Sequence, residues 1–326
     1  MSVEARILTA LRAAGDEAVS GAQLSNQLGI SRAAVWAHIE DLRSLGYEVE
    51  ASPHRGYRLL SAPDCLHADD LIAQLGKTRV IGRDIRVFEQ TTSTNDVVEK
   101  LARDGVKEGV AVFAESQTRG RGRLGRKWVS PARKGLWFSV LLRPHLRPQA
   151  TTQVTVASAT ALRRAIACQT GLQPSIKWPN DILLEGKKAA GILTELSAEL
   201  DQIKYVILGI GVVVNLNASE FPTELREQAT SLKVELGKAI SRAELAVRIL
   251  RELDTDYARL ARGEFGALAD EWEAQCSTIG RDVTILVGER EIRGRAESLG
   301  EDGALMVRTE HGHLERIVGG DVTVRK

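Results

Sequence analysis

The hydrophobic period changes twice along the 326 residues, near Leu60 and near Gly280, so the chain must fold as successive blocks. In the first block the period is helical. Val3, Ile7, Leu8 and Leu11 share one face of a first helix, Ser20 opens a second carrying Leu24 and Leu28, and Gly29 breaks it. Ser31 opens a third helix over residues 32–45, with Val35, Ile39 and Leu42 inward and Arg32, Ala33, Trp36 and Arg43 outward. Gly46 ends it, and short strands are expected at 47–50 and 57–60 around Ser52-Pro-His-Arg-Gly56. This is helix–turn–helix spacing with a β-wing, whose third helix is shaped to enter a major groove. Residues 1–60 hold six basic and seven acidic residues, unfavourable for phosphate contact, but Arg32 opens the recognition helix and Arg55 sits at the wing tip. A small helical interaction domain is the competing reading.

Ser61-Ala-Pro-Asp64 reads as a linker. Beyond it, strand-like runs at 110–113, 136–142, 181–184, 191–196 and 205–214 alternate with helical runs at 93–103, 151–170 and 241–260, Ser93 and Ser241 being the expected N-caps. From 281 the pattern is short strands at 282–287, 291–298, 304–309, 314–318 and 321–325 with glycine-containing turns, a small β-barrel pattern.

With 43% hydrophobic and 27% charged residues, the composition is that of a soluble globular protein. No apolar run reaches the roughly 18 residues of a membrane span, and Met1-Ser-Val-Glu-Ala lacks the blocks of a signal peptide. Cys65, Cys168 and Cys276 are too far apart for a disulfide framework or a zinc site, so a reducing cytoplasm is the expected compartment. The net charge of +1 says nothing about partners, but its distribution does. Residues 116–180 contain no acid and twelve Lys or Arg, which points to an anionic ligand.

Within that stretch lies Gln117-Thr-Arg-Gly120-Arg121-Gly122-Arg123-Leu-Gly125-Arg126-Lys127-Trp128. Its glycines formally fit the dinucleotide fingerprint, but Ser130-Pro131 interrupts any following helix, and no acid occurs before Asp181 to bind a ribose. Nor is there the Gly-Lys-Ser or Gly-Lys-Thr of a Walker loop. What remains is a flexible loop of alternating arginine and glycine, able to close on phosphate with charges that cannot be lost. An RNA-binding loop is the competing reading. A second constellation is Lys177-Trp-Pro-Asn180-Asp181, followed across a tight hairpin at Glu185-Gly186 by Lys188 and Gly191. Lys188 is placed to project over the face that carries Asp181, although a lone lysine there also fits a solvated hairpin. The third is Thr92-Ser93-Thr94-Asn95 at a helix start, explicable as capping or as a polar ligand site.

Taken in order, these segments, with Gly209-Ile-Gly211 and Asn215, closely resemble the bacterial biotin–protein ligases of the bifunctional repressor type, over the whole chain. The resemblance implies an α+β chain in three parts. These are a winged helix–turn–helix DNA-binding domain (1–62), a class II synthetase-like mixed sheet with helices (63–280), and an SH3-like barrel (281–326). It implies an enzyme that activates biotin with ATP and Mg²⁺ to biotinyl-5′-AMP and transfers biotin to a lysine of a biotin carboxyl carrier protein. It also implies operator DNA as a partner, a homodimer when the adenylate is bound, repression of biotin synthesis genes, and no membrane. By the match, Ser93, Thr94, Asn95 and Gln117 line the biotin pocket, with Gly120, Arg121, Gly122 and Arg123 in a loop that orders over ligand. Lys188 touches the biotin carboxylate and α-phosphate, Asp181 handles the acceptor amine and Trp128 covers the adenylate. Asn180 and Gly191 belong to the same site, no residue is a metal ligand, and Arg325 reaches the nucleotide. Lys188, Asp181 and Arg123 are the expected catalytic set. A lipoate or octanoyl ligase and a non-catalytic ligand sensor are the rival assignments.

Overall fold

A computed structural model describes residues 1–52 and 55–324. The wing residues Pro53 and His54 and the expected nucleotide contact of Arg325 lie outside the described residues. The chain forms two compact units, residues 1–77 with 241–247, and residues 78–240 with 248–326.

In the first unit the helical spacing of the sequence is realised. Helices α1 (Val3–Ala14), α2 (Gly21–Leu28) and α3 (Arg32–Ser44) begin at Ser2, Ser20 and Ser31. Each serine hydroxyl accepts from a backbone N–H of the first turn, as an N-cap must. Ile7, Leu8, Leu11, Leu24, Val35, Ile39 and Leu42 are buried in a shared core. Strands β1 (Glu48–Ser52) and β2 (Gly56–Ser61) pair antiparallel as the wing. Trp36 is 56% exposed and Arg32 is exposed, but Arg43 does not face out: its guanidinium donates to the Val49 carbonyl and to Glu40, tying helix to wing. A fourth helix that the sequence pattern did not signal, α4 (Ala68–Leu75), follows the linker and packs on α1. There Arg12 pairs with the buried Asp70 at 2.7 Å.

The second unit is built on a seven-stranded mixed sheet. Its elements are β3 (Asp84–Thr91), α5 (Thr94–Arg103), β4 (Val110–Gln117), β5 (Gly135–Leu142), α6 (Thr152–Thr170), β6 (Ser175–Lys177), β7 (Asp181–Leu184), β8 (Lys187–Glu199) and β9 (Gln202–Val213). The strand order is β3-β4-β5-β9-β8-β7-β6, with only β3 and β4 parallel. All eight residues of β5 are buried, which is why it reads as a continuous apolar run rather than an alternation. Helices α7 (Leu232–Leu236), α8 (Arg242–Ala261) and α9 (Phe265–Glu273) follow, α8 beginning at Ser241, whose hydroxyl accepts from Glu244 N–H. Strands β10 (Asp282–Val287), β11 (Arg290–Leu299), β12 (Leu305–Thr309), β13 (Leu314–Ile317) and β14 (Asp321–Val324) form an antiparallel sheet in the order β13-β12-β11-β10-β14. No described helix is long and apolar enough to cross a membrane.

Candidate functional site

The β7–β8 hairpin turns at Glu185 and Gly186, both at positive φ, the two-residue turn that matches the twist of antiparallel strands. Asp181 pairs with Gly191 and Ile182 with Ala190, but Leu183 pairs with Lys188, so Ala189 is an extra residue on β8. This bulge flips the alternation and puts Lys188 on the face of Asp181 and Gly191. Lys188 Nζ lies 2.6 Å from Asp181 Oδ1. The Lys188 backbone is pinned from the other side, its N–H donating to Gln228 O and its carbonyl accepting from Thr230.

These groups form part of the floor of a cavity of about 620 Å³. Three glycines make room in it. A Cβ on Gly209 would stand 2.4 Å from Asn95 Oδ1, one on Gly211 2.6 Å from the Trp128 ring, and one on Gly191 3.1 Å from the Lys188 side chain. The Trp128 ring therefore rests on the sheet, with Lys188 Nζ 5.2 Å from its centroid, and its Nε1 is buried without a hydrogen-bond partner among the described residues.

The arginine–glycine segment is more structured than its composition suggests. Gly122 N–H donates to Arg126 O, Trp128 N–H to Gly120 O, and Arg119 N–H to Thr92 O. A Cβ on Gly120 would stand 2.5 Å from the Trp128 carbonyl, so a side chain there would break this return. The arginines differ in their partners. Arg121 forks onto Glu195 at 2.9 and 3.1 Å and reaches Asp96 at 2.6 Å, and these carboxylates hold its pKa up. Arg126 pairs with Asp321 at the start of β14. Among the described residues Arg123 hydrogen-bonds only to neutral oxygens, Asn180 Oδ1 at 3.4 Å and Gly320 O at 3.3 Å, and burial pushes its pKa down against the opposing pull of Asp321 and Asp181. A desolvated cation facing neutral acceptors is prepared for an anion.

Of the Ser93-Thr94-Asn95 turn, all three residues are buried and line the cavity. Ser93 stands at the N-cap position of α5 but makes no side-chain cap bond; Thr94 N–H is instead taken by Gln117 Oε1 at 2.9 Å. Asn180 is held by its side-chain donation to Ile192 O at 2.6 Å. Thus Ser93, Thr94, Asn95, Gln117, Arg121, Gly122, Arg123, Trp128, Asn180, Asp181, Lys188 and Gly191 meet around one cavity, and Gly120 supports it from behind. Asn215 does not line it; its amide clamps the Ile240 backbone in both directions. Sequence reasoning missed Ser139, Asp96, Glu195 and Asp321. Asp96 follows the Thr-Ser-Thr-Asn turn and Glu195 lies seven residues beyond Lys188 on the same strand, where no role was given to it, whereas Ser139 and Asp321 join the site from other strands.

This chain is similar to known proteins along its whole length. The biotin/lipoate A/B protein ligase family matches residues 87–212, an HTH domain family residues 4–58, and the biotin protein ligase C-terminal domain residues 278–325. The bifunctional ligase/repressor BirA of Bacillus spizizenii is 39% identical over 309 residues, 95% of this chain and 94% of that one. BirA of Escherichia coli is 31% identical over 98% of this chain and 96% of its own. The chain belongs to the bifunctional ligase/repressor family of biotin–protein ligases. Among solved structures, the biotin protein ligase of Aquifex aeolicus in complex with biotin and ATP matches with a TM-score of 0.64 and 31% identity, covering 75% of this chain and 99% of that one. The match to a biotin protein ligase C-terminal domain sets the chain apart from the lipoate-ligase assignment, and a ligase family sets it apart from a sensor without catalysis.

Proposed function

We propose that the cavity binds biotin and ATP side by side, makes biotinyl-5′-AMP there, and delivers the biotinyl group to a lysine of a biotin carboxyl carrier protein. The observation that carries this reading is the Lys188–Asp181 pair at 2.6 Å beside the half-buried Arg123, which has no carboxylate within ion-pair distance among the described residues. A biotin carboxylate oxygen attacks the α-phosphorus as the bond to the bridging oxygen of the β-phosphate breaks and pyrophosphate leaves. Negative charge grows on the α-phosphate oxygens, where Lys188 and Arg123 stabilise it. When Lys188 turns to that anion, the Asp181 carboxylate it leaves is free to accept from the carrier amine. The carrier ammonium gives a proton to Asp181, the free amine attacks the anhydride carbonyl, and the C–O bond to the phosphate breaks so that AMP departs, its phosphate taking the second proton from the amine. Trp128, resting on Gly191 and Gly211, walls the site beside Lys188.

Mg²⁺ has no cage of protein ligands here. Asp181 is paired with Lys188 and Asp321 with Arg126, and the only cluster of three metal-capable side chains among the described residues, Glu4, His38 and Asp41, belongs to the first unit. The residues of the cavity do not fit a protein-held magnesium, so the ion would come with the triphosphate and its waters, and no step is assigned to it.

The blocks 1–62, 63–280 and 281–326 then divide the labour between DNA binding, catalysis and closure of the nucleotide side, in the cytoplasm. The first block has a net charge near −1, so one copy gains little from counterion release. Repression of biotin synthesis genes therefore needs a homodimer on a palindromic operator, formed when the adenylate is bound. Incubation with biotin, ATP, Mg²⁺ and a carrier domain tests the catalytic half: the carrier gains the mass of one biotinyl group, and no gain refutes it. A footprint on a biotin-synthesis promoter with and without biotinyl-5′-AMP tests the other half. Protection of both half-sites only with adenylate is expected, and protection independent of adenylate overturns the dimer link.

A further inference from the structure

The hydrogen-bond directions in the cavity wall are dictated by a residue that does not line it. Glu195, on β8, accepts from Asn95 Nδ2 at 2.6 Å. A carboxylate can only accept, so the Asn95 amide must turn its NH₂ toward Glu195 and its oxygen away. That oxygen also only accepts, so Ser139, buried on β5, must donate its one proton to it. Toward Thr94 Oγ1, 2.7 Å away, Ser139 can then only accept, so Thr94 directs its one proton to Ser139 rather than to Gln117 Oε1, the longer contact at 3.2 Å, whose oxygen already takes the Thr94 N–H. The lone pairs of Thr94 are what its hydroxyl has left to offer. Beside it, Gln117 Oε1 takes the Thr94 N–H and its NH₂ group donates to Ser130 at 2.9 Å. The same Glu195 carboxylate grips Arg121 in a bidentate fork and so ties the arginine–glycine loop to this relay.

We propose that Glu195 is a positioning residue that fixes the polarity of the wall, so that Thr94 presents an acceptor to a ring N–H of the biotin urea. The proposal rests on the reading of the cavity as the biotin site and adds what orients it. It also supplies a ground for specificity, because the dithiolane ring of a lipoyl group has no N–H to meet that acceptor.

Glu195→Gln replaces an obligate acceptor by a group that can donate or accept, and leaves the Asn95 amide free to flip. In pyrophosphate release, KM for biotin should rise on the order of tenfold to a hundredfold, the scale of leaving a buried polar group unsatisfied, with kcat within about threefold. The decisive readout is discrimination against biotin methylated on the ring urea nitrogens. Wild type should reject it strongly, Glu195→Gln should lose most of that rejection, and Glu195→Asp, which keeps the carboxylate, should recover part of it. A wild-type KM in Glu195→Gln, or a raised KM with unchanged discrimination, overturns the proposal. If Glu195→Gln does not fold by circular dichroism, Ser139→Ala, which cuts the relay between Asn95 and Thr94, must show the same loss of discrimination, and its failure to do so overturns the proposal equally. Calorimetric binding of biotin separates the two levels. A wild type that binds biotin but releases no pyrophosphate fails the ligase reading and leaves the Glu195 comparison to be read in Kd, whereas one that binds no biotin overturns both.

Discussion

Replacing Lys188 by alanine separates stability from catalysis in this site. The Lys188–Asp181 pair is close, 2.6 Å, but the two side chains keep 34% and 22% of their exposure. Such a pair is screened by water, so its loss should cost no more than about 1 kcal/mol. For a unit of this size that lowers the thermal midpoint by roughly 2–4 °C. The effect on chemistry is of another order. In the proposed reaction Lys188 is the cation that meets the α-phosphate, placed by the bulge at Ala189, and removing one preorganised donor from a developing anion typically costs about 2.7–4 kcal/mol, or 10²–10³ in rate. Pyrophosphate release from biotin and ATP without carrier should therefore fall by that factor in a protein that melts almost as wild type does. Release within about threefold of wild type would refute the assignment of Lys188 to the α-phosphate. A fall in the melting point of more than about 10 °C would show instead that the pair is a structural element.

Arg123→Gly removes the loop's contacts with Asn180 and Gly320. The adenylate should then escape and label lysines of an unrelated protein such as albumin, detected by mass, and unchanged labelling rejects the role in retention. Gly209→Ala should weaken biotin binding at least tenfold in calorimetry, because its Cβ would fall 2.4 Å from Asn95 Oδ1; unaltered affinity would mean that Asn95 yields without consequence. At pH 8, iodoacetamide should modify the exposed Cys168 well before Cys276, whose thiol is kept protonated by burial, and equal rates by peptide mass would contradict that burial.

Much of this was legible in sequence where the signal is local. The caps at Ser20, Ser31 and Ser241, the buried stripe of the winged helix and the β7–β8 turn depend on residues within one turn of each other and stand as read, whereas Ser93 makes no cap bond because Gln117, from a distant strand, takes the Thr94 N–H. Strand β3 escaped notice because it is an edge strand whose second half, Phe88, Glu89 and Gln90, is exposed, so no face of it is consistently apolar. Helix α4 escaped because its start, His67, carries no side-chain cap bond. At the site, the side-by-side placement of Lys188 and Asp181 was anticipated, but the cause, an extra residue in one strand, has no signature in spacing. Arg121 was assigned with the loop that orders over ligand, whereas its guanidinium is committed to Asp96 and Glu195. Those partners lie 25 and 74 residues away, and only the sheet order brings them together.

The unequal pairing of the loop's cations bears on how ligand and loop are coupled. Arg121 is engaged with two carboxylates, one of them Glu195, which does not itself line the cavity, so an arriving phosphate competes poorly for it. The Arg126–Asp321 pair is at the rim, with Arg126 65% exposed, and contributes about 1 kcal/mol at most. Arg123 has paid the cost of desolvation without a carboxylate in ion-pair reach among the described residues, and a phosphate would supply the missing charge. Loop order should therefore depend on ligand through Arg123 and Arg126, with Arg121 as the fixed post. A ligand shifts an equilibrium only by its differential affinity for the two states. The part of the binding energy that passes through Arg123 is thus the part available to reshape the surface that this loop presents. A coupling of ~1–3 kcal/mol, typical of allosteric linkage, lies within the reach of one such charge-assisted contact. Under the proposed reading, adenylate synthesis and adenylate-linked dimerisation would be driven by the same arginine.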